Sequence, residues 1–235
     1  MLEPHAADFA DLLARFDAPI TAFDCGAKCA PYNDNHTPFC CDLDHAVPLA
    51  YRAEWDHLRA VSDMWQRWEA DDPADTAILE AEVPAGMLLV ACQGAAACQR
   101  HGRSFTCRAF PFYPYISRAG EFLGMSYYWQ YEDRCWVISN LRRVTPEYRA
   151  EFIAAFERLF ELYPAEKETF RYHSSSMRRV FGRKKRAIPL LHRNGGCYKV
   201  TPRNGRLRKV DAASLPLFGP YLLAARLPFP DEIEP

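Results

Sequence analysis

Eight of the nine cysteines fall into two stretches and one outlier: Cys25, Cys29, Cys40 and Cys41; Cys92, Cys98 and Cys107; and Cys135. Thiolates at short spacing suit a soft metal ion, because sulfur binds zinc and iron well and a short loop wraps an ion. Buried apolar cysteine is the competing role. It fits Cys92, which follows Met87-Leu88-Leu89-Val90, and Cys135, which precedes Trp136-Val137-Ile138. It does not fit the first four, which sit among Gly, Lys, Asn, Asp, His and Pro. Disulfides need an oxidising compartment. The opening residues Met1-Leu2-Glu3-Pro4-His5 lack the basic segment and apolar run of a secretory signal. The expectation is therefore a cytoplasmic metal-binding protein.

Three residues separate Cys25 from Cys29, a spacing used in structural zinc sites. Adjacent extended residues point to opposite sides. Cys40 and Cys41 therefore either serve two centres, or only one of them binds. Eight thiolates suit two zinc sites, two iron–sulfur clusters, or one of each. Aromatics crowd the cysteines in sequence: Phe110, Phe112, Tyr113, Tyr115, Tyr127, Tyr128, Trp129 and Trp136. A dry shell tunes a cluster, which favours iron–sulfur with zinc as the alternative. An ordinary aromatic core explains the same residues equally well. Arg108 and Arg134 each adjoin a ligand cysteine. They read as cofactor-binding side chains that offset thiolate charge or hold an anion; the alternative is an ion pair with Asp42, Asp44 or Asp133.

These residues need elements to carry them. Phe9, Leu12, Leu13 and Phe16 predict a helix over 6–16. Loop follows over 24–41. Leu49, Trp55, Leu58, Val61, Met64, Trp65 and Trp68 predict one long helix from Pro48 to about residue 69, then an acidic turn over 70–76. Met87 to Val90 is a strand candidate, 93–107 a loop, 110–115 an extended aromatic segment and 122–131 a strand. Thr145-Pro146-Glu147 is a helix start with a capping hydroxyl, Pro in the first turn and an acid at the positive dipole end. That helix stops at Pro164, and a second runs to about residue 181. Turn signals at 194–196 and 202–205 separate three short strands, a small meander. Residues 216–235 are too Pro-rich for much regular structure.

A net charge of −1 hides an asymmetry. Residues 171–209 hold 13 Lys/Arg and no Asp/Glu; residues 1–170 hold 15 against 26. The basic segment either binds a polyanion or packs on the acidic body. With no nucleic-acid motif present, internal packing is favoured. No run of about 18 apolar residues predicts a membrane span. No Gly-rich phosphate loop, HExxH or GxSxG is present.

The order of cysteines resembles the YkgJ-like family, a zinc- or iron-chelating domain with a CxxCxxCC signature. Cys25, Cys29 and Cys40-Cys41 match its first group, Cys92 and Cys98 its middle pair. Cys107-Arg108-Ala109-Phe110-Pro111 matches its Cys-Arg-x-Phe-Pro motif, and Cys135 its distal cysteine. The resemblance covers roughly residues 20–140. Ten residues part Cys29 from Cys40, where the family has about two; this brings His36 into range as a substitute ligand. One branch of the family resembles flagellin lysine-N-methylases, which implies a protein-modifying enzyme as a further possibility.

Together these features predict an α+β fold: a loop-rich cysteine metal-binding core with flanking helices and a small C-terminal β meander. Residues 1–170 form the cysteine-rich part and 171–235 a basic tail packed on the same body. The expected function is a cysteine-ligated centre, an iron–sulfur cluster with a redox or protein-modifying role, acting on an unidentified protein or small-molecule substrate. The alternative is a structural zinc protein that docks a partner through its basic segment.

Overall fold

The computed structural model describes residues 4–226. It is an α+β protein with two antiparallel sheets. Helix α1 (Ala6–Ala14) buries Phe9, Leu12 and Leu13, as their spacing requires. The predicted loop over 24–41 holds a single helical turn, α2 (Gly26–Cys29), and two 3-10 turns.

The long tryptophan helix is not formed. Residues Leu49–Tyr51 are strand β1, Arg52–Val61 are α3, and Trp65–Arg67 are strand β2. The helix stops at Ser62, which is extended at ψ 144°. Beyond it, β2 pairs with β3 (Met87–Cys92), setting Trp65 opposite Cys92. The Trp65 indole donates to Gly102 O at 2.6 Å. Strand pairing thus overrides an apolar stripe that continues at helical spacing. β1 borders β3 on its other side, giving the order β1-β3-β2. The acidic turn is instead the start of α4 (Pro73–Glu82), with Asp72 accepting from Ala74 N.

The predicted loop over 93–107 ends in a helix, α5 (Phe105–Ala109), which carries Cys107. Ser104 caps it by accepting from Cys107 N at 3.2 Å. Buried Glu54 accepts from Phe105 N at 2.5 Å and Tyr51 N at 3.2 Å, so α5 is pinned to the start of α3. Burial lifts this carboxyl to about 7.

The second sheet runs β4 (Phe112–Ile116), β5 (Phe122–Tyr127), β6 (Ile188–His192), β7 (Cys197–Val200), β8 (Leu207–Lys209) in that order. The meander is present, and β6 joins it to the body by pairing with β5. Gly124 permits that join. Its φ is 147°, and a Cβ there would meet Leu191 O at 2.3 Å. A single turn, α6 (Trp136–Ser139), follows Cys135.

Helix α7 (Pro146–Leu162) starts where the sequence predicts, with Thr145 accepting from Tyr148 N. Its apolar face builds the core: Phe152 meets Phe156 at 4.4 Å with tilted rings, and Phe16 meets Tyr148 at 5.6 Å. Pro164 opens α8 (Pro164–Arg183) rather than only ending α7. Within the Pro-rich tail, Gly219–Arg226 is helical, α9, against the expectation of little regular structure. Residues 227–235 of that prediction lie outside the described ones.

His173 on α8 is enclosed by Tyr113, Tyr128 and Trp129, with ring centroids at 4.3, 5.1 and 5.1 Å. Its Nε2 is buried with no partner. Burial depresses the imidazole to about 4. The folded state therefore stays neutral while the unfolded chain takes a proton near pH 6.5. Stability from this site is full above about pH 6.5 and is lost as pH falls toward 4. In paired pH series of denaturant unfolding, His173→Phe should flatten that acid-side slope. An unchanged slope would contradict the assignment.

Candidate metal centre

The structure brings the cysteine segments together in a defined way. All nine thiols are free. Cys29 is buried with Phe39 and Tyr221, and Trp136 packs on the same cluster. Phe39 and Trp136 are the sequence neighbours of Cys40 and Cys135, so three cysteine segments meet here. The inserted residues 30–39 loop out and return. Asn33 holds the loop by donating to Thr37 O at 2.9 Å and to Asp42 Oδ2 at 2.8 Å, and Phe39 N–H donates to the Cys29 sulfur. His36 sits exposed at the tip, with φ 55°.

Mutual influence among the thiols falls mainly into two neighbourhoods, although Cys29 also feels Cys41 across them. Burial raises Cys25 to about 11, and Cys29 adds to it. Burial raises Cys135 to about 12, with Cys25 and Cys29 acting the same way. Cys40 feels Cys135 and Cys29 as well as Cys41. On the other side, burial raises Cys107 to about 12, helped by Cys92 and Cys41. Burial also raises Cys92, helped by Cys41 and Cys98. Cys40 and Cys41 link the two groups, Sγ to Sγ at 3.9 Å. Their shared hydrogen bond raises Cys40 and lowers Cys41.

Burial disfavours the charged form of Cys25, Cys92, Cys107 and Cys135, since a buried charge needs a partner. The donor set is what zinc and iron–sulfur clusters use. Among the described residues, however, no three His, Cys, Asp or Glu side chains stand in metal-holding geometry. Cys197 lies apart in β7, buried.

The two arginines singled out beside cysteines differ in placement. Arg108 does not face the thiols. Its guanidinium is buried and donates to Leu13 O at 2.9 Å, Phe16 O at 2.7 Å, His101 O at 2.8 Å and Arg103 O at 3.0 Å. Its carboxylate is Asp17, at 3.1 Å, and none of the aspartates expected from sequence. Consecutive helical residues point about 100° apart, so Arg108 turns away from Cys107. Arg134 meets His45 Nδ1 at 3.2 Å and lies at the 4.0 Å edge of an ion pair with Asp133.

The arginine that does touch sulfur is Arg103, which donates from Nε to Cys98 Sγ at 3.0 Å. The charges of Cys41 and Cys107 also act on it. Its position between Cys98 and Cys107 was the available signal, but it adjoins neither.

No protein-family model, curated protein or solved structure matches the chain. Among the described residues no helix is long and apolar enough to cross a membrane.

Arg108→Met would take a guanidinium donor from four backbone carbonyls and from Asp17. It should lower stability by about 3 kcal/mol or more. Chemical denaturation measures this, and a loss within experimental error would show that the guanidinium is not a structural clamp.

Proposed function

We propose that the chain is a cysteine-ligated metal protein, a divergent relative of the YkgJ-like family, with two four-thiolate centres. One comprises Cys25, Cys29, Cys40 and Cys135; the other Cys41, Cys92, Cys98 and Cys107. The observation that supports this reading is that Cys29 packs with Phe39, beside Cys40, and with Trp136, beside Cys135, while Cys92 and Cys107 both feel Cys41. The Cys40-Cys41 dipeptide gives one sulfur to each. Arg103 would offset charge at the second centre. Nine free thiols suit a reducing compartment, in keeping with a cytoplasmic protein.

Iron–sulfur ligation is the leading reading, because aromatic rings pack near the ligand segments. Phe23 meets Trp136 at 5.4 Å, and Phe110 meets Tyr131 at 4.8 Å. The bound group would supply electron transfer. Its role would be redox or protein modification on a protein or small-molecule substrate. Structural zinc is the second reading. It is favoured by the single-turn helix and 3-10 turn that carry Cys29, Cys40 and Cys41 and by the 3-10 turn that Cys98 follows, which offer little regular structure to hold themselves.

Purification without oxygen, a visible spectrum and elemental analysis separate these. Iron with sulfide and a brown colour support the first; colourless protein with zinc supports the second. Cys107→Ser and Cys135→Ser should each lose about half the metal, and Cys197→Ser none. Full retention of metal by the Cys107 variant would overturn the ligand set. Complete loss in both single variants would merge the two centres into one.

A further inference from the structure

The basic segment is only partly neutralised by the body. Arg186 forms a two-point pair with Glu132 at 2.8 Å, and Arg193 pairs with Glu157 at 2.5 Å. Five of the segment's other arginines, together with Arg118, face a cleft of about 900 Å³ between α8 and the turns at either end of the sheet. Arg171, Arg178, Arg179 and Arg183 come from α8, Arg118 from the β4–β5 turn and Arg203 from the β7–β8 turn. No carboxylate lines it.

Arg178 is the telling residue. It is 8% exposed, yet its partners are all neutral: Tyr115 Oη at 3.2 Å, Ile116 O at 2.9 Å and the Tyr115 ring beneath it. A guanidinium held so deep without a counter-ion carries an unmet electrostatic demand. Arg118 is fixed by Arg203 O at 2.6 Å and Pro202 O at 3.2 Å. Arg171 alone has a carboxylate partner, the exposed Glu168. Among the described residues, Arg183 and Arg203 have none.

We propose that this cleft binds a phosphate-chain anion, a di- or triphosphate group free or on a nucleotide. Guanidinium forks match phosphate oxygens in pairs, and six of them exceed what one phosphate can engage. Tyr172 borders the cleft, 69% exposed, with Arg179 over its ring. The exposed ring offers a stacking surface for a base. This site is independent of the cysteine centres.

Calorimetric titration of the full, metal-loaded chain with inorganic tripolyphosphate at fixed ionic strength tests it, with metal content checked afterwards. Saturable binding of one anion per chain is expected. Arg183→Glu with Arg203→Glu should weaken it by about tenfold or more. Arg142→Glu with Arg143→Glu, exposed arginines elsewhere, should leave it unchanged. Circular dichroism checks that both double variants fold. ATP binding tighter than tripolyphosphate, with the excess lost in Tyr172→Ala, assigns a nucleotide; equal affinity assigns the phosphate chain alone. No saturable heat, or equal weakening by the control variant, overturns the proposal. Single-stranded RNA that binds more tightly than tripolyphosphate, increasingly with length, also overturns it.

Discussion

The buried guanidinium of Arg108 is the constraint on which the cysteine region depends. From one residue after Cys107 it reaches the carbonyls that end α1, the turn at His101 and the backbone of Arg103. It therefore joins the N-terminal helix, the Cys98–Cys107 segment and α5. Tyr148 closes the other side by donating to Arg108 O and Ala109 O at 2.9 and 3.0 Å, which anchors α5 to α7. Glu54 completes the hold from α3. Charged groups buried this way are costly unless every donor is met. Here they are met by backbone, which positions Cys107 without using any other cysteine.

That scaffold leaves the thiols themselves with an unsolved electrostatic problem. Burial keeps Cys25, Cys107 and Cys135 neutral, and each neighbouring sulfur makes ionisation harder still. A bound cation reverses the sign of that cost, because mutual repulsion among thiolates becomes shared attraction to one ion. Cys41 differs from the rest: the Cys40 thiol donates to it and Arg103 stands near. The adjacent cysteines are thus inequivalent.

Much of the frame was legible in the sequence, and the failures share a physical cause. Thr145 and Pro146 mark the start of α7 because capping is local chemistry. The meander is equally local, since turn residues separate its strands. The apolar spacing of Trp65 fits a helix, whereas its state is set by Cys92 across a strand pair. Cys107 was placed in a loop because five helical residues leave too short a periodic signal. Arg108 was assigned to the cysteine site from adjacency, yet its donors all point elsewhere. Arg103 was overlooked for the opposite reason: adjacency to no cysteine concealed its bond to Cys98. Arg186 pairs with Glu132 and Arg193 with Glu157, whereas the cleft arginines gather where no carboxylate lines the surface.

On the proposed reading, cysteine thiolates are the protein's only ligands to metal. X-ray absorption at the metal edge of anaerobically purified protein tests it most directly. The account predicts a first shell of about four sulfurs at roughly 2.3 Å, the distance of metal–thiolate bonds. A shell containing nitrogen or oxygen donors in place of sulfur, or protein that holds no metal at the edge, would contradict it.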